Sequence, residues 1–305
     1  MNVFRSARVG TAPRRTRAHR RSAAAAVAAV VACAVLAPAA AATSGTAALQ
    51  VALRARGLYA GSVDGLRGPA TAGAIRAFQA RAGLAVDGVA GPVTRRRLGW
   101  RGRPSLGRRV LTAGRRGWDV AALQFLLGRQ GFPSGPVDGD LGVRTHAALR
   151  RFQAWAGLSA DGLAGPATLA ALRRAPPTTP LRFLAPVAAP IGDGFGPRGD
   201  FFHSGVDYTA GWGVPVTAAG YGCVSTVTWD SGYGNLVVIE HRFGVTSWYA
   251  HLNTIAVHPG ECVVGGDRVG SVGSTGRSTG PHLHFELRVR GAAIDPLPVT
   301  NAPRA

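Results

Sequence analysis

Six of the chain's eight histidines fall between residues 203 and 284, and three short arrangements among them could do chemistry. His203-Ser204-Gly205-Val206-Asp207 is an H-x-x-x-D, Tyr249-Ala250-His251-Leu252 holds one histidine, and His282-Leu283-His284 is an H-x-H. On a strand successive side chains point to opposite faces, so His282 and His284 share one face at roughly 6–7 Å along the backbone. Leu283 and Phe285 then share the other face, as a strand laid on a core requires. A helix or a strand would put positions i and i+4 of the H-x-x-x-D on one face, and Gly205, Val206 and Tyr208-Thr209 argue against a helix. Either geometry lets an imidazole nitrogen and a carboxylate oxygen meet the same cation. Zinc accepts that mixture and, in catalytic sites, takes three protein ligands with one position left open. Taken singly, the motifs also fit surface histidines and an Asp bonded in a turn. His241 reads as a strand-end residue and His258 as a loop residue.

The elements around these residues are short and β-rich. From Leu181 onward, runs rich in Val, Thr, Tyr and Trp alternate with Gly-containing turns: 223–229, 235–241, 246–252, 269–272 and 282–290. That spacing predicts an antiparallel all-β domain, placed at residues 185–298. Before it, Ala175 to Pro180 is Pro-rich and reads as a semi-rigid spacer within a linker at 175–184.

The preceding segment repeats itself at an offset of 74 residues. Ala47-Ala48-Leu49-Gln50 recurs as Ala121-Ala122-Leu123-Gln124, Val63-Asp64-Gly65 as Val137-Asp138-Gly139, and Phe78-Gln79-Ala80 as Phe152-Gln153-Ala154. Each unit, at 43–100 and 106–174, is predicted to form three short helices. Leu49/Leu53 and Leu123/Leu127 supply i, i+4 apolar pairs. Thr71 and Thr145 are placed as N-caps of the second helix, and Gly-Pro opens the third. The first unit has no counterpart to Leu111–Trp118, which predicts a less supported first helix. With His146 read as a surface residue, neither unit holds a cluster for catalysis, so both read as binding modules.

Residues 1–42 have the form of an export signal: Arg14, Arg15, Arg17, Arg20 and Arg21, an apolar run from Ala23 to Leu36, and a small-residue site at Ala40-Ala41-Ala42. The run is short for a stable membrane span. Val30-Val31-Ala32-Cys33 also fits a lipobox, which would place lipid on Cys33. Removal of the signal leaves Cys223 and Cys262, and an even count in an exported chain suggests one disulfide, with two buried thiols as the alternative. The formal charge is +20, with 35 basic residues, all Arg. Residues 43–176 carry twenty Arg and six Asp, a net of +14, whereas residues 177–305 are nearly neutral. Export and the lack of a nucleic-acid-binding motif count against DNA or RNA as the partner of that charge.

Two resemblances join these readings. The repeats resemble the small three-helix peptidoglycan-binding domain found beside many wall hydrolases, on their Leu-Gln, Val-Asp-Gly, Phe-Gln and Asp-Gly-x-x-Gly-Pro-x-Thr landmarks. The β region resembles the lysostaphin-type (LytM-like) zinc peptidases over residues 186–296. The matching segments run in order: Gly194 to Arg198, the H-x-x-x-D, Gly232 to Asn235, Tyr249 to Leu252, and Ser278 to Glu286. The resemblance implies one Zn²⁺ per chain held by His203, Asp207 and His284. It also implies that His251 and His282 line the site as catalytic residues, and does not say which of them is the base. The implied protein is a secreted, wall-associated endopeptidase for peptidoglycan cross-links. Peptidoglycan is then its partner, with anionic wall polymers as further partners of the Arg-rich repeats. Some LytM-like domains have lost their ligands, so a non-catalytic wall-binding or regulatory protein is the alternative. Neither the bond cut nor the substrate-binding residues are readable from the sequence.

Overall fold

The computed structural model describes residues 42–301, so the export segment, Cys33 and the last four residues lie outside the described residues. No helix among the described residues is long and apolar enough to cross a membrane. The chain forms two three-helix units followed by a β domain.

In the first unit α1 is Ser44–Arg54, α2 Pro69–Arg81 and α3 Pro92–Arg97. In the second, α4 is Trp118–Arg129, α5 Val143–Trp155 and α6 Pro166–Leu172. Thr43 caps α1 by accepting from the Thr46 N–H. The second helices are not capped by Thr71 and Thr145, as the sequence suggested; Gly68 and Gly142 hold the N-cap positions. The two threonines are buried partners of a recurring clip. Gln50 Nε2 donates to Asp64 Oδ1 (2.7 Å) and Thr71 Oγ1 (3.1 Å), while Gly65 N–H donates to Gln50 Oε1 (2.9 Å). Gln79 grips Asp87, Gly88 and Thr94 in the same way, and the second unit repeats both clips with Gln124 and Gln153. Each buried glutamine thereby satisfies its own amide and pins the Asp-Gly turn that starts the next helix.

The first unit is not left unsupported at its front. Trp118, Ala121, Ala122 and Phe125 from the second unit join Ala48, Leu49 and Ala52 in one buried cluster. A neighbouring helix thus does what the missing lead-in segment does elsewhere.

The β domain begins inside the expected linker, where Thr179 is buried and β1 (Phe183–Leu184) pairs in parallel with β13 (Thr300–Asn301), tying the two ends of the domain. All other pairings are antiparallel. A hairpin of β2 (Gly196–Arg198) and β3 (Phe201–His203) precedes β4 (Val206–Tyr208) and β5 (Pro215–Thr217). β4 and β5 join the nine-stranded main sheet with β6 (Gly222–Asp230), β7 (Gly234–Glu240), β8 (Val245–Ile255), β9 (Cys262–Val263), β10 (Arg268–Val272), β11 (Leu283–Val289) and β12 (Ala292–Ile294); six of these run in the order β12-β11-β8-β7-β6-β9, while β4 pairs with β11 and β10 bridges β8 and β5. Tyr249, Leu252, Leu283, Phe285 and Leu287 are fully buried on its core face, each worth about 1.5–3 kcal/mol for burial of a side chain of this size. A disulfide joins Cys223 to Cys262 across β6 and β9. Cys262 is therefore a strand residue.

The helical units dock onto the β domain. Val63 N–H donates to Gly199 O (2.8 Å) and Val137 N–H to Asp200 O (2.6 Å), so both repeats hold the turn of the β2–β3 hairpin. Gly131, at φ 81°, lies against the Ala292–Ala293 backbone, where any Cβ would overlap it. Its repeat counterpart Gly57, at φ 68°, faces open space. The left-handed conformation costs a non-glycine residue about 1–2 kcal/mol at either position. Gly131→Ala is expected to lose about 2 kcal/mol more than Gly57→Ala, through overpacking against β12. Urea unfolding of both variants checks this, and equal losses would contradict it.

Candidate metal and catalytic site

β11 is the element on which the site is built. Its core-facing residues alternate with His284, Glu286 and Arg288 on the opposite face. Asp207 on β4 lies directly across from His284 in the ladder, and Ala250 on β8 flanks it on the other side. The H-x-x-x-D is neither a helix face nor one continuous strand. His203 ends β3, Ser204-Gly205 turn the chain, and Asp207 is the centre of β4. Gly205 is needed there because a side chain would collide with the Phe285 carbonyl of β11.

This route brings three donor atoms together. His203 Nε2 lies 3.1 Å from Asp207 Oδ1 and 3.0 Å from His284 Nδ1, and His284 Nδ1 lies 2.7 Å from Asp207 Oδ1. All three side chains are buried or nearly so. Their outward atoms are each held from behind. His203 Nδ1 donates to Gly194 O (2.8 Å), His284 Nε2 donates to Glu286 Oε1 (2.9 Å), and Arg198 donates to Asp207 Oδ2 (3.2 Å). Fixing the tautomer of each imidazole through its other nitrogen is the arrangement that metal-binding histidines show. Two imidazoles and one carboxylate with an open side are a donor set suited to catalytic zinc, so the residues present fit such an ion.

The electrostatics describe a place for positive charge. Burial pushes the His284 imidazole down, but its bonds to Asp207 and Glu286 outweigh this and raise it to about 9. Burial also works against ionised Asp207, yet the bonds from His203 and His284 hold its carboxyl well below the usual range. A metal ion held by His203, Asp207 and His284 would take the place of the His284 proton, so ion and proton would compete for one site.

His251 and His282 form the other wall, with ring centroids 4.7 Å apart. His251 gets there through a bulge. It sits at φ 59°, and β8 carries one extra residue against β7 between Tyr249 and Leu252. Tyr249 and Leu252 both face the core, so the bulge swings His251 onto the face of Ala250. Bulges of this kind re-aim side chains beside active sites. His251 Nδ1 donates to Thr275 O (2.7 Å), leaving Nε2 as a lone pair, and burial pushes the ring down to about 4. His282 Nδ1 donates to Gly280 O (2.8 Å), and its Nε2 is 3.9 Å from Asp207 Oδ1. Both rings present an acceptor nitrogen to a cleft of about 1210 Å³ lined by Phe201, Tyr233 and the 276–281 loop. His241 follows β7, its ring bonded to Tyr221 O and Ser247 Oγ, and His258 lies in the β8–β9 loop; both are outside the cleft. His146 is half-buried, packed over Gly162 in the second helical unit.

Sequence reasoning assigned no role to Glu286, Arg288 or Tyr233. Glu286 is fully buried and accepts from Ser204 Oγ (2.6 Å), Tyr233 O–H (2.9 Å) and Arg288 Nε (2.6 Å), besides His284. Arg288 in turn lies 3.7 Å above the Trp248 ring. The period-2 alternation from His282 to Arg288 already places these polar side chains on one face and was the available signal.

Residues 201–296 match the model of peptidase family M23. The β domain belongs to that family. Residues 43–98 and 116–172 each match the putative peptidoglycan binding domain. The M23 domain is 47% identical over 97 residues to the DD-carboxypeptidase/endopeptidase Mpg of Neisseria meningitidis, a match covering 32% of this chain and 22% of that protein. It is 43% identical over 94 residues to the peptidoglycan DD-endopeptidase ShyC of Vibrio cholerae, covering 31% and 22%. Each match thus spans about a fifth of the relative's length. Among solved structures, the catalytic domain of lysostaphin from Staphylococcus simulans shares 36% identity over 36% of this chain and 90% of its own, with a TM-score of 0.34.

Glu286→Gln leaves Arg288 without its buried anion, and removing one member of such a pair costs about 3–5 kcal/mol. Denaturant unfolding of the metal-free variant should show a loss of that size. A loss below about 1 kcal/mol, the range of an exposed pair, would mean the network is not the brace described.

Proposed function

We propose that the chain is an exported, zinc-dependent endopeptidase that hydrolyses peptide cross-links of peptidoglycan and is held on its substrate by the two repeats. The convergence of His203, Asp207 and His284 within one hydrogen-bond length of each other, facing His251 and His282 across one cleft, carries the reading. Relatives named as peptidoglycan DD-endopeptidases support cross-links between stem peptides as the bond class.

His203 Nε2, Asp207 Oδ1 and His284 Nδ1 would hold one Zn²⁺ per chain. Bound there, the ion supplies Lewis acidity toward a scissile carbonyl and an attacking water. The acceptor nitrogen of His251 or of His282 takes the proton of the water and returns it to the leaving amine. When protonated, either ring also stabilises the oxyanion that forms on the carbonyl. The +14 charge of residues 43–176 supports salt-dependent retention on anionic wall polymers. The non-catalytic alternative would leave no reason for five oriented histidine and aspartate side chains in one cleft.

His251→Ala and His282→Ala are each expected to lower hydrolysis of purified wall by about 10²–10⁴-fold with zinc content retained. His284→Ala, or chelation of the native chain by 1,10-phenanthroline, is expected to abolish it. Full cleavage by His284→Ala, or activity untouched by the chelator, would overturn the reading.

A further inference from the structure

The two repeats present the same groove, and the chain has already filled one of them. In the second repeat the groove lies between the end of α4 and α5, and β12 occupies it. Ala293 N–H donates to Gly131 O (3.0 Å), Trp155 Nε1 donates to Val289 O (3.1 Å), and Ala292 is fully buried in that repeat's core. The occupant is an extended pair of alanines held through its backbone.

At the offset of 74 residues the first repeat has an open cavity of about 360 Å³, lined by Arg56, Leu58, Phe78, Arg81, Ala82 and Arg97. The apolar floor is kept: Leu58 and Phe78 stand for Phe132 and Phe152, and Ala82 for Ala156. The rim has changed. Arg56, Arg81 and Arg97 stand where the filled groove has Gln130, Trp155 and Ala171. Arg56 Nη2 donates to Leu98 O (2.9 Å), as Gln130 does to Leu172 O, but its Nη1 has no partner. None of the three arginines forms an ion pair among the described residues. Gly57, the counterpart of the glycine covered by Ala292–Ala293, faces open space.

We infer that the groove of the first repeat binds a short extended peptide of small residues carrying a free carboxylate, while the second repeat is committed to docking the M23 domain. The inference rests on the proposed wall-binding function and specifies which repeat does it and through what chemistry. Backbone pairing at Gly57 would reproduce the bond from Ala293 N–H to Gly131 O, beside a floor in which Phe78 stands for Phe152 and carries the Arg56 guanidinium 5.1 Å above its ring. The arginine rim adds charge-assisted hydrogen bonds that a carboxylate accepts. A phosphate would satisfy the same guanidinium groups, so the test must separate wall peptides from phosphate polymers.

Cosedimentation of the full chain with purified wall stripped of phosphate polymers by hydrofluoric acid, in the cold, makes that separation. Arg81→Ala and Arg97→Gln are exposed changes, and each should weaken binding roughly tenfold, the equivalent of 1.4 kcal/mol. Arg144→Ala, an equal loss of charge on the second repeat, should change it less than about twofold, as for a charge acting through screened solvent. Amidation of the wall carboxyl groups should weaken the native chain as much as Arg81→Ala does, with no further loss in that variant. No binding by the native chain would overturn the wall-binding function itself. Native binding that Arg81→Ala and Arg97→Gln leave intact, indifference to amidation, or binding only to wall that keeps its phosphate polymers would overturn the groove assignment alone. So would a dimer of the native chain that Arg81→Ala dissolves, since the occupant would then be a second copy.

Discussion

The cross-strand pairing of Asp207 with His284, backed by buried Glu286, is the constraint from which the rest of the peptidase half follows. One strand face carries a proposed ligand, the carboxylate that fixes its tautomer, and the arginine that neutralises that carboxylate. The other face of the same strand is core. Moving these two groups therefore requires moving the sheet, and the positions of the Asp207 and His284 donor atoms are set by ladder register, not by loop conformation. Rigid placement of this kind is what a metal with near-tetrahedral preferences demands.

His203 is the ligand candidate outside that sheet, on the β2–β3 hairpin, and here the helical units matter. Both repeats hydrogen-bond to the hairpin turn at Gly199 and Asp200, five residues or fewer from His203. The second repeat also clasps β12, the neighbour of β11. The repeats are thus part of the frame around the site as well as the proposed modules for the wall. Their shared landmarks conceal a division of labour: one groove is filled by the β domain's own backbone and the other faces outward with a cationic rim.

Much of this was legible in the sequence because it rests on periodicity. The 74-residue repeat, the long strands and the shared face of His282 and His284 follow from spacing alone, and the polar alternation through Glu286 and Arg288 could have been read the same way. What was not legible depends on contacts between distant segments. The bulge at His251 breaks alternation at a residue whose type gives no warning. Thr71 and Thr145 look like caps, but the buried Gln50 and Gln124 amides recruit them inward. The Pro-rich spacer looks solvated, yet Thr179 is buried and β1 starts just beyond it because β13 offers a free edge. The β9 strand at Cys262 is absent from the predicted runs because it is two residues long and pairs with β6 alone.

In the proposed site two imidazoles and one carboxylate, from His203, His284 and Asp207, hold the metal while His251 and His282 do not. X-ray absorption at the zinc edge of the loaded full chain measures this directly. The expected result is one zinc per chain with nitrogen and oxygen ligands at about 2.0–2.2 Å and the scattering of two imidazole rings. Three or more imidazoles, a sulfur ligand, or a chain that retains no zinc would contradict it.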